Sequence, residues 1–296
     1  MLQHHFEKPT RPARVVVIGS GGFIGSTIVG QLRAAGIDVL PLTRKDVDLL
    51  AAGAGAKLKN VLKPEDAVVF VSAIAPAKTP AMLVDNLRMA DAASEALAAV
   101  PPAHLLYISS DAVYADDANP VTEQSALAPS TLHCVMHLGR EVIFRSVYKG
   151  PLAFLRPTLI YGAGDPHSGY GPNRFRRQAA KGEPISLFGE GEEKRDHVAV
   201  EDVARLAVRI LQHRSAGALN AVTGVATSFH DIARMVAANF QPQAKVASAP
   251  RPGPRPHLLH RFFDITGCHR SFPDFRFERL EDGLARVHEE SARAAR

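Results

Sequence analysis

The run Val15-Val-Val-Ile-Gly-Ser-Gly-Gly-Phe-Ile-Gly25 constrains this chain more than any other feature. Four β-branched residues lead straight into glycines at the spacing of a nucleotide-binding turn. In that pattern Gly19 allows the tight turn, Gly22 lets the backbone approach a pyrophosphate, and Gly25 lets the new helix pack closely on the sheet. The helix N-terminus, with its unpaired N–H groups and positive dipole end, completes an anion site. The run continues as Phe23-Ile24-x-x-x-Ile28-Val29-x-x-Leu32 and then as Val39-Leu-Pro-Leu42, which together read as a βαβ unit. A bound dinucleotide is the expectation, and a plain structural turn is the alternative.

The rest of the chain extends the pattern. Strand-like segments at 15–18, 39–42, 67–71, 105–108 and 152–155 alternate with helical ones at 23–35, 81–99 and 130–147. Such alternation predicts an α/β fold, a doubly wound parallel sheet with helices on both faces. The helix at 81–99 is rich in alanine, which permits close helix pairing, and Pro101-Pro102 stop it. Beyond Tyr161-Gly-Ala-Gly-Asp-Pro166 the composition shifts to Gly, Pro, Arg and His. The expected division is a dinucleotide-binding Rossmann domain over 1–164 and a smaller, mainly substrate-binding domain over 165–296, with elements around 195–222 returning to the first sheet. The run Ala249-Pro-Arg-Pro-Gly-Pro-Arg-Pro256 reads as an extended or mobile loop.

With 296 residues, 46% of them hydrophobic, the chain can bury a sizeable core. No apolar run reaches the ~18 residues of a membrane span, and Met1-Leu-Gln-His-His-Phe-Glu-Lys lacks a signal-peptide core, so a cytoplasmic protein is expected. Two cysteines, Cys134 and Cys268, make no disulfide framework. The net charge of +5 comes from dispersed basic residues without an aromatic-basic motif, which argues against nucleic acid and for an anionic small molecule. Local clusters at Arg174, Arg176, Arg177 and Lys181, at Lys194 and Arg195, and at Arg251, Arg255 and Arg261 are either anion contacts or solvated basic faces.

Taken together, Gly19-x-x-Gly22-x-x-Gly25, Asp66-Ala-Val-Val-Phe-Val-Ser-Ala73, Asn86, Ser109-Ser-Asp-Ala-Val-Tyr114, Pro120-Val-Thr-Glu123, Leu155-Arg-Pro-Thr-Leu-Ile-Tyr-Gly162 and Lys194-Arg-Asp-His-Val-Ala-Val-Glu-Asp-Val203 resemble the extended short-chain dehydrogenase/reductase family of sugar-nucleotide epimerases, dehydratases and reductases. The resemblance spans nearly the whole chain. It implies NAD(P)-dependent chemistry on a nucleotide-sugar and a homodimer through the helices at 81–99 and 130–147. It places Gly19, Gly22, Phe23, Ile24 and Gly25 in the cofactor loop, Asp48 near the adenine, and Ala73 on the family's fourth strand, against the cofactor. At the end of the second strand an acid would favour NAD and an arginine NADP. The chain has Thr43-Arg44, so NADP is favoured over NAD, with a surface arginine as the alternative.

The departure from the family lies in its Tyr-x-x-x-Lys pair, on the helix after the fifth strand. Counting from Pro129 to Glu141, His133 stands at the tyrosine position and His137 at the lysine position. The i, i+4 spacing puts both imidazoles on one helix face. In one reading His133 is the acid/base, His137 binds the nicotinamide ribose, Ser110 matches the family's catalytic serine, and Asp111 occupies a position that is an acid in dehydratase relatives. In a second the site is degenerate and the protein is a dinucleotide-binding sensor or interaction module. In a third the two histidines and Cys134 hold a metal, although no further ligand is identifiable. Tyr114 and Tyr161 are candidate replacement acids at positions that are structural in the family. On the substrate side the resemblance assigns Arg195 to the nucleotide diphosphate, Asn173 to the same phosphates, and Phe188 to the base or sugar. Core packing for Phe188 and an Arg195–Asp196 ion pair are the competing readings. Substrate identity is expected to lie in loops 163–175 and 245–261.

Overall fold

The computed structural model describes residues 2–117, 119–167, 169–251, 253 and 259–294. Elements follow one another as β1 (Val15–Ile18), α1 (Phe23–Ala34), β2 (Val39–Leu42), α2 (Ala54–Lys59), β3 (Ala67–Phe70), α3 (Pro80–Ala99), β4 (His104–Ile108), α4 (Leu132–Val147), β5 (Leu152–Pro157), β6 (Leu159–Tyr161), α5 (Pro172–Ala180), β7 (Ile185–Phe188), β8 (Lys194–Ala199), α6 (Val200–Gln212), β9 (Gly217–Ala221), β10 (Ala226–Ser228), α7 (Phe229–Ala238), β11 (Val246–Ala249), α8 (Thr266–Ser271) and α9 (Leu280–Ala294).

Six strands form a parallel sheet in the order β2-β1-β3-β4-β5-β9. Side chains alternate between its faces, which sorts the β1 run into two cores. Val15 and Val17 meet Ile28 and Leu32 of α1 and Val203, Ala207 and Ile210 of α6. Val16 and Ile18 meet the opposite layer, with Ala90, Ala93 and Leu97 of α3 and Phe144 of α4. Each such fully buried aliphatic side chain contributes about 1.5–3 kcal/mol, so the register is held from both sides. Pro41 lies within β2, which is tolerated because β2 is the sheet edge.

The motif Asp66–Ala73 supplies the third strand along this chain, and the helix bearing His133 follows the fourth. Between Leu42 and Ala67 there is only the short α2, because Ala51-Ala-Gly-Ala-Gly-Ala-Lys57 has no β-branched alternation from which to build a strand. The strands and helices anticipated from periodicity are present, with ends displaced by one or two residues. After β5 the chain builds smaller sheets, β10-β8-β6 and β11-β7, over a third core of Tyr161, Phe175, Leu187, Phe229 and Leu284. In between, α6 and β9 return to the main sheet, where β9 pairs with β5. The Pro-rich run 249–256 begins at the last residue of β11, and its positions 252 and 254–256, Arg255 included, lie outside the described residues. Among the described residues no helix is long and apolar enough to cross a membrane, and both cysteines are buried free thiols.

Candidate active site

The order β2-β1-β3 puts the switch point of the sheet between the C-terminal ends of β1 and β3, and the glycine loop lies there. Gly19 has φ +97°, and a Cβ on it would sit 2.6 Å from the backbone nitrogen of Ser72, just past β3. A Cβ on Gly25 would lie 2.2 Å from the Gly19 carbonyl oxygen. Gly19 and Gly25 are therefore sterically required, whereas a Cβ on Gly22 would make only ordinary contact. Helices α3 and α4 open on threonine caps, Thr79 and Thr131, whose hydroxyls accept the Met82 and Cys134 N–H groups. In contrast, α1 opens on Gly22 with no side-chain cap and no acid in its first turn. Its free N–H groups at Phe23, Ile24 and Gly25, beside a Ser20 hydroxyl buried without a partner, form a cradle suited to a dinucleotide's phosphates.

At the end of β2, Thr43 donates through its N–H and its hydroxyl to Asp46. Arg44 is largely exposed and donates Nε to Asp48 at 3.1 Å, which leaves both terminal nitrogens turned to solvent. Asp48 also accepts the Leu50 N–H, and these two bonds hold its carboxyl below the usual range. Ala73 is exposed, directly before Ile74, whose backbone N–H and carbonyl are both bonded by the buried Asn86 amide.

On α4 the two histidine rings lie 4.8 Å apart, edge to face at 84°. His137 is buried, with Nδ1 2.8 Å from Tyr107 Oη. Burial, then His133 and Arg140, holds its imidazole well below the ordinary value. His133 is half-buried and its Nδ1 has no partner. Its pKa is lowered by burial first, then by His167 and Arg140, so it rests neutral near pH 7. Arg140 is buried as well, donating to the Ser72 carbonyl and to the carbonyl and side-chain oxygens of Asn86. Ser110 accepts the Ala112 N–H and lies 3.4 Å from Asp111 Oδ1 at the end of β4. Asp111 pairs with Arg261 Nε at 3.8 Å, and Arg261 also reaches Asp116. Among the described residues no group of three or more His, Cys, Asp or Glu is placed to hold a metal, and the Cys134 thiol lies 2.8 Å from the Thr131 hydroxyl.

A buried chain of polar groups fixes α4 against β4, β5 and β9. Glu141 accepts from Ser109 and takes Arg156 bidentately at 2.9 and 2.6 Å. Arg156 donates to Tyr114, Tyr114 donates to Asn220, and the Asn220 N–H donates to Glu123. Tyr114 is thereby committed, its phenol pushed up to about 12 chiefly by burial. Tyr161 is sealed against Gly283 in the third core. Neither tyrosine is available as a replacement acid.

On the substrate side, Arg195 is buried and pairs with Glu193, while also donating to the Lys194 and Leu259 carbonyls. Asp196 faces elsewhere, accepting from Thr223 and Gly224, so the arginine's partner is Glu193 and not Asp196. Asn173 is buried between Asp165, to which it donates, and the Gly162 N–H. Phe188 is half-buried. Tyr170 stacks on it at 4.5 Å and accepts its N–H, and the guanidinium groups of Arg174 and Arg251 each lie 5.6 Å from its ring. Tyr107, Arg140 and Tyr170 escaped sequence reasoning because each becomes informative only through a partner distant in the chain, and Glu193 was overlooked beside Asp196 although it stands two residues before Arg195. Arg261 was visible there only as one member of a basic cluster.

Solved structures share this architecture. UDP-N-acetylglucosamine 4-epimerase from Bacillus cereus superposes with a TM-score of 0.81 at 21% identity, over 94% of this chain and 96% of its own. A GDP-L-fucose synthetase from Naegleria fowleri bound to NADP gives 0.85 at 16%, over 98% and 96%. MoeE5 in complex with UDP-glucose and NAD gives 0.82 at 23%, over 96% and 100%. At these identities the likeness is one of fold. The sequence pattern of the NAD dependent epimerase/dehydratase family, however, matches residues 15–226, from the first residue of β1 to the first of β10. That stretch contains the whole parallel sheet, the glycine cradle and the histidine pair, and by it the chain belongs to the NAD-dependent epimerase/dehydratase family.

Proposed function

We propose that the protein is a nicotinamide-dependent epimerase, dehydratase or reductase of sugar nucleotides that works with a histidine pair. The observation that carries the reading is the uncapped N-terminus of α1 behind glycines that admit no Cβ, at the switch point of the sheet. Related folds are described with UDP-glucose and NAD and with NADP, which supports the same ligand classes here. Residues 1–164 would carry the dinucleotide and 165–296 most of the substrate, in a cytoplasmic homodimer joined through α3 and α4. The exposed Val84, Val135 and Val142 on those helices support the dimer.

A nicotinamide dinucleotide held at Gly19, Gly25 and the N-terminus of α1 would supply hydride exchange with a sugar carbon. His133, neutral at rest, takes the proton of the sugar hydroxyl, and Ser110 hydrogen-bonds the same oxygen. Asp111, beside Arg261, is placed to orient substrate. NADP is the preferred cofactor, because the two unused nitrogens of Arg44 suit a 2′-phosphate. Phe188, with Arg174 and Arg251 beside it, suits a planar group linked to phosphates, while Asn173 braces the adjoining loop.

One observation favours the alternative of a dinucleotide-binding protein without turnover: Arg195, the diphosphate candidate, is buried in an ion pair with Glu193, a carboxylate it shares with Arg251. Titration with NADPH and NADH, followed by nicotinamide fluorescence, tests the cofactor site. A sugar-nucleotide screen of the wild type beside a His133→Tyr/His137→Lys double variant then separates the readings. Activity in the wild type that the double variant loses supports working histidines. Activity in the double variant alone shows a degenerate site.

A further inference from the structure

The histidine pair has a third member in the sheet below it, whose role toward a ligand rests on the proposal that this crevice binds a dinucleotide. Tyr107 is buried on β4, with Oη 2.8 Å from His137 Nδ1. Among the described residues this is the only hydrogen bond that reaches the phenol. Were Nδ1 the donor, the phenol's own hydrogen would lie buried with no acceptor, so Tyr107 donates and His137 Nδ1 accepts. A neutral imidazole that accepts at Nδ1 carries its hydrogen on Nε2, across the ring from Tyr107 and from the sheet.

We propose that Tyr107 is a positioning residue that locks His137 as the Nε2–H tautomer, so that a neutral imidazole offers one fixed N–H donor to the dinucleotide where a Tyr-x-x-x-Lys site would offer an ammonium. Arg140, on the same helix as His137, is held by the Ser72 carbonyl just past β3 and by Asn86, which ties α4 to the crevice wall. A second consequence is electrostatic: the site carries no lysine charge beside His133, which suits a base that starts neutral.

The test is nitrogen-15 long-range NMR of the imidazoles in the full-length, ligand-free protein near pH 7, with His137 assigned through a His137→Gln variant. The expected result is a hydrogen on Nε2 and an unprotonated, hydrogen-bonded Nδ1. A hydrogen on Nδ1 overturns the proposal, and the wild-type spectrum decides this without any variant of Tyr107. In Tyr107→Phe the His137 signals should shift to a tautomer mixture and NADPH affinity should fall about tenfold, the scale of one hydrogen bond in a buried site. Unchanged His137 signals, or unchanged NADPH affinity, would also overturn it. Because the tautomer is read without dinucleotide, a wild-type protein that binds neither NADPH nor NADH refutes the functional reading separately from the tautomer lock.

Discussion

Replacing Gly25 with alanine should damage dinucleotide binding as well as stability, and the size of each effect can be worked from contacts. The added Cβ would lie 2.2 Å from the Gly19 carbonyl oxygen, 2.9 Å from its carbonyl carbon and 3.1 Å from Ser20 Cα. All three are backbone atoms of the cradle, so no side chain can swing aside. The loop must retreat by about 1 Å to restore ordinary contact. Overpacking of this kind costs about 1–3 kcal/mol, and the better helix propensity of alanine offsets up to about 1 kcal/mol of it. The net loss of stability is therefore expected to be no more than about 3 kcal/mol. Binding suffers as well, because the displaced atoms are those placed to meet a pyrophosphate. Misplacements of about 1 Å cost on the order of a hundredfold where geometry is critical, so NADPH should bind at least about tenfold more weakly. Gly30→Ala is the internal control: it lies in the same helix with nothing within 4 Å of the added Cβ. It should keep affinity and gain up to about 1 kcal/mol. Fluorescence titration and urea denaturation of both variants check the pair. Wild-type affinity in Gly25→Ala, or equal damage in Gly30→Ala, would refute the steric argument.

Arg156→Met should cost about 1–3 kcal/mol in urea denaturation by leaving buried Glu141 with only the half-exposed Arg145 as its ion partner, and Arg156→Met/Glu141→Met should cost less than that single change. His104 and His197 are both buried, with pKa values lowered to about 4 chiefly by burial. Between about pH 6.5 and 4 the unfolded chain therefore binds protons that the folded one refuses, so stability should fall as the solution is acidified through that window. Denaturation midpoints at pH 7 and pH 5 check it, and His104→Gln should shrink the difference. Arg44→Ala should weaken NADPH about tenfold or more while leaving NADH nearly unchanged, as measured by paired titrations. Val142→Glu, on the exposed face of α4, should shift the light-scattering mass from dimer to monomer; a monomeric wild type would sink the dimer.

The parallel sheet was legible because Val15–Ile18, Ala67–Phe70 and Leu152–Leu155 announce themselves by local composition, and the glycine loop because its spacing is dictated by a ligand. The histidine pair was legible only by register against a family pattern, which gave its helix face but not its surroundings. That His137 bonds a tyrosine thirty positions earlier, or that Arg251 reaches Glu193 from fifty-eight positions away, depends on which elements lie side by side, and no periodicity encodes that. The absence of a strand between Leu42 and Ala67 could have been read from the Ala-Gly-Lys composition there. The stacking of Tyr170 on Phe188 could not, since it joins a loop to a different sheet.

The sixth strand has a consequence for biosynthesis. Gly217–Ala221 completes the sheet beside β5, Asn220 receives the Tyr114 hydroxyl, and residues 3–10 bond back to 212–216. While the ribosome is still making residue 200, β5 has a bare edge, the Glu141–Arg156–Tyr114 line ends without its last acceptor, and the first residues have nothing to hold. The parallel sheet thus cannot be completed from the first 164 residues alone. A fragment cut there should be recovered as aggregate, and a nascent chain should become protease-resistant only after the 217–221 strand has cleared the exit tunnel.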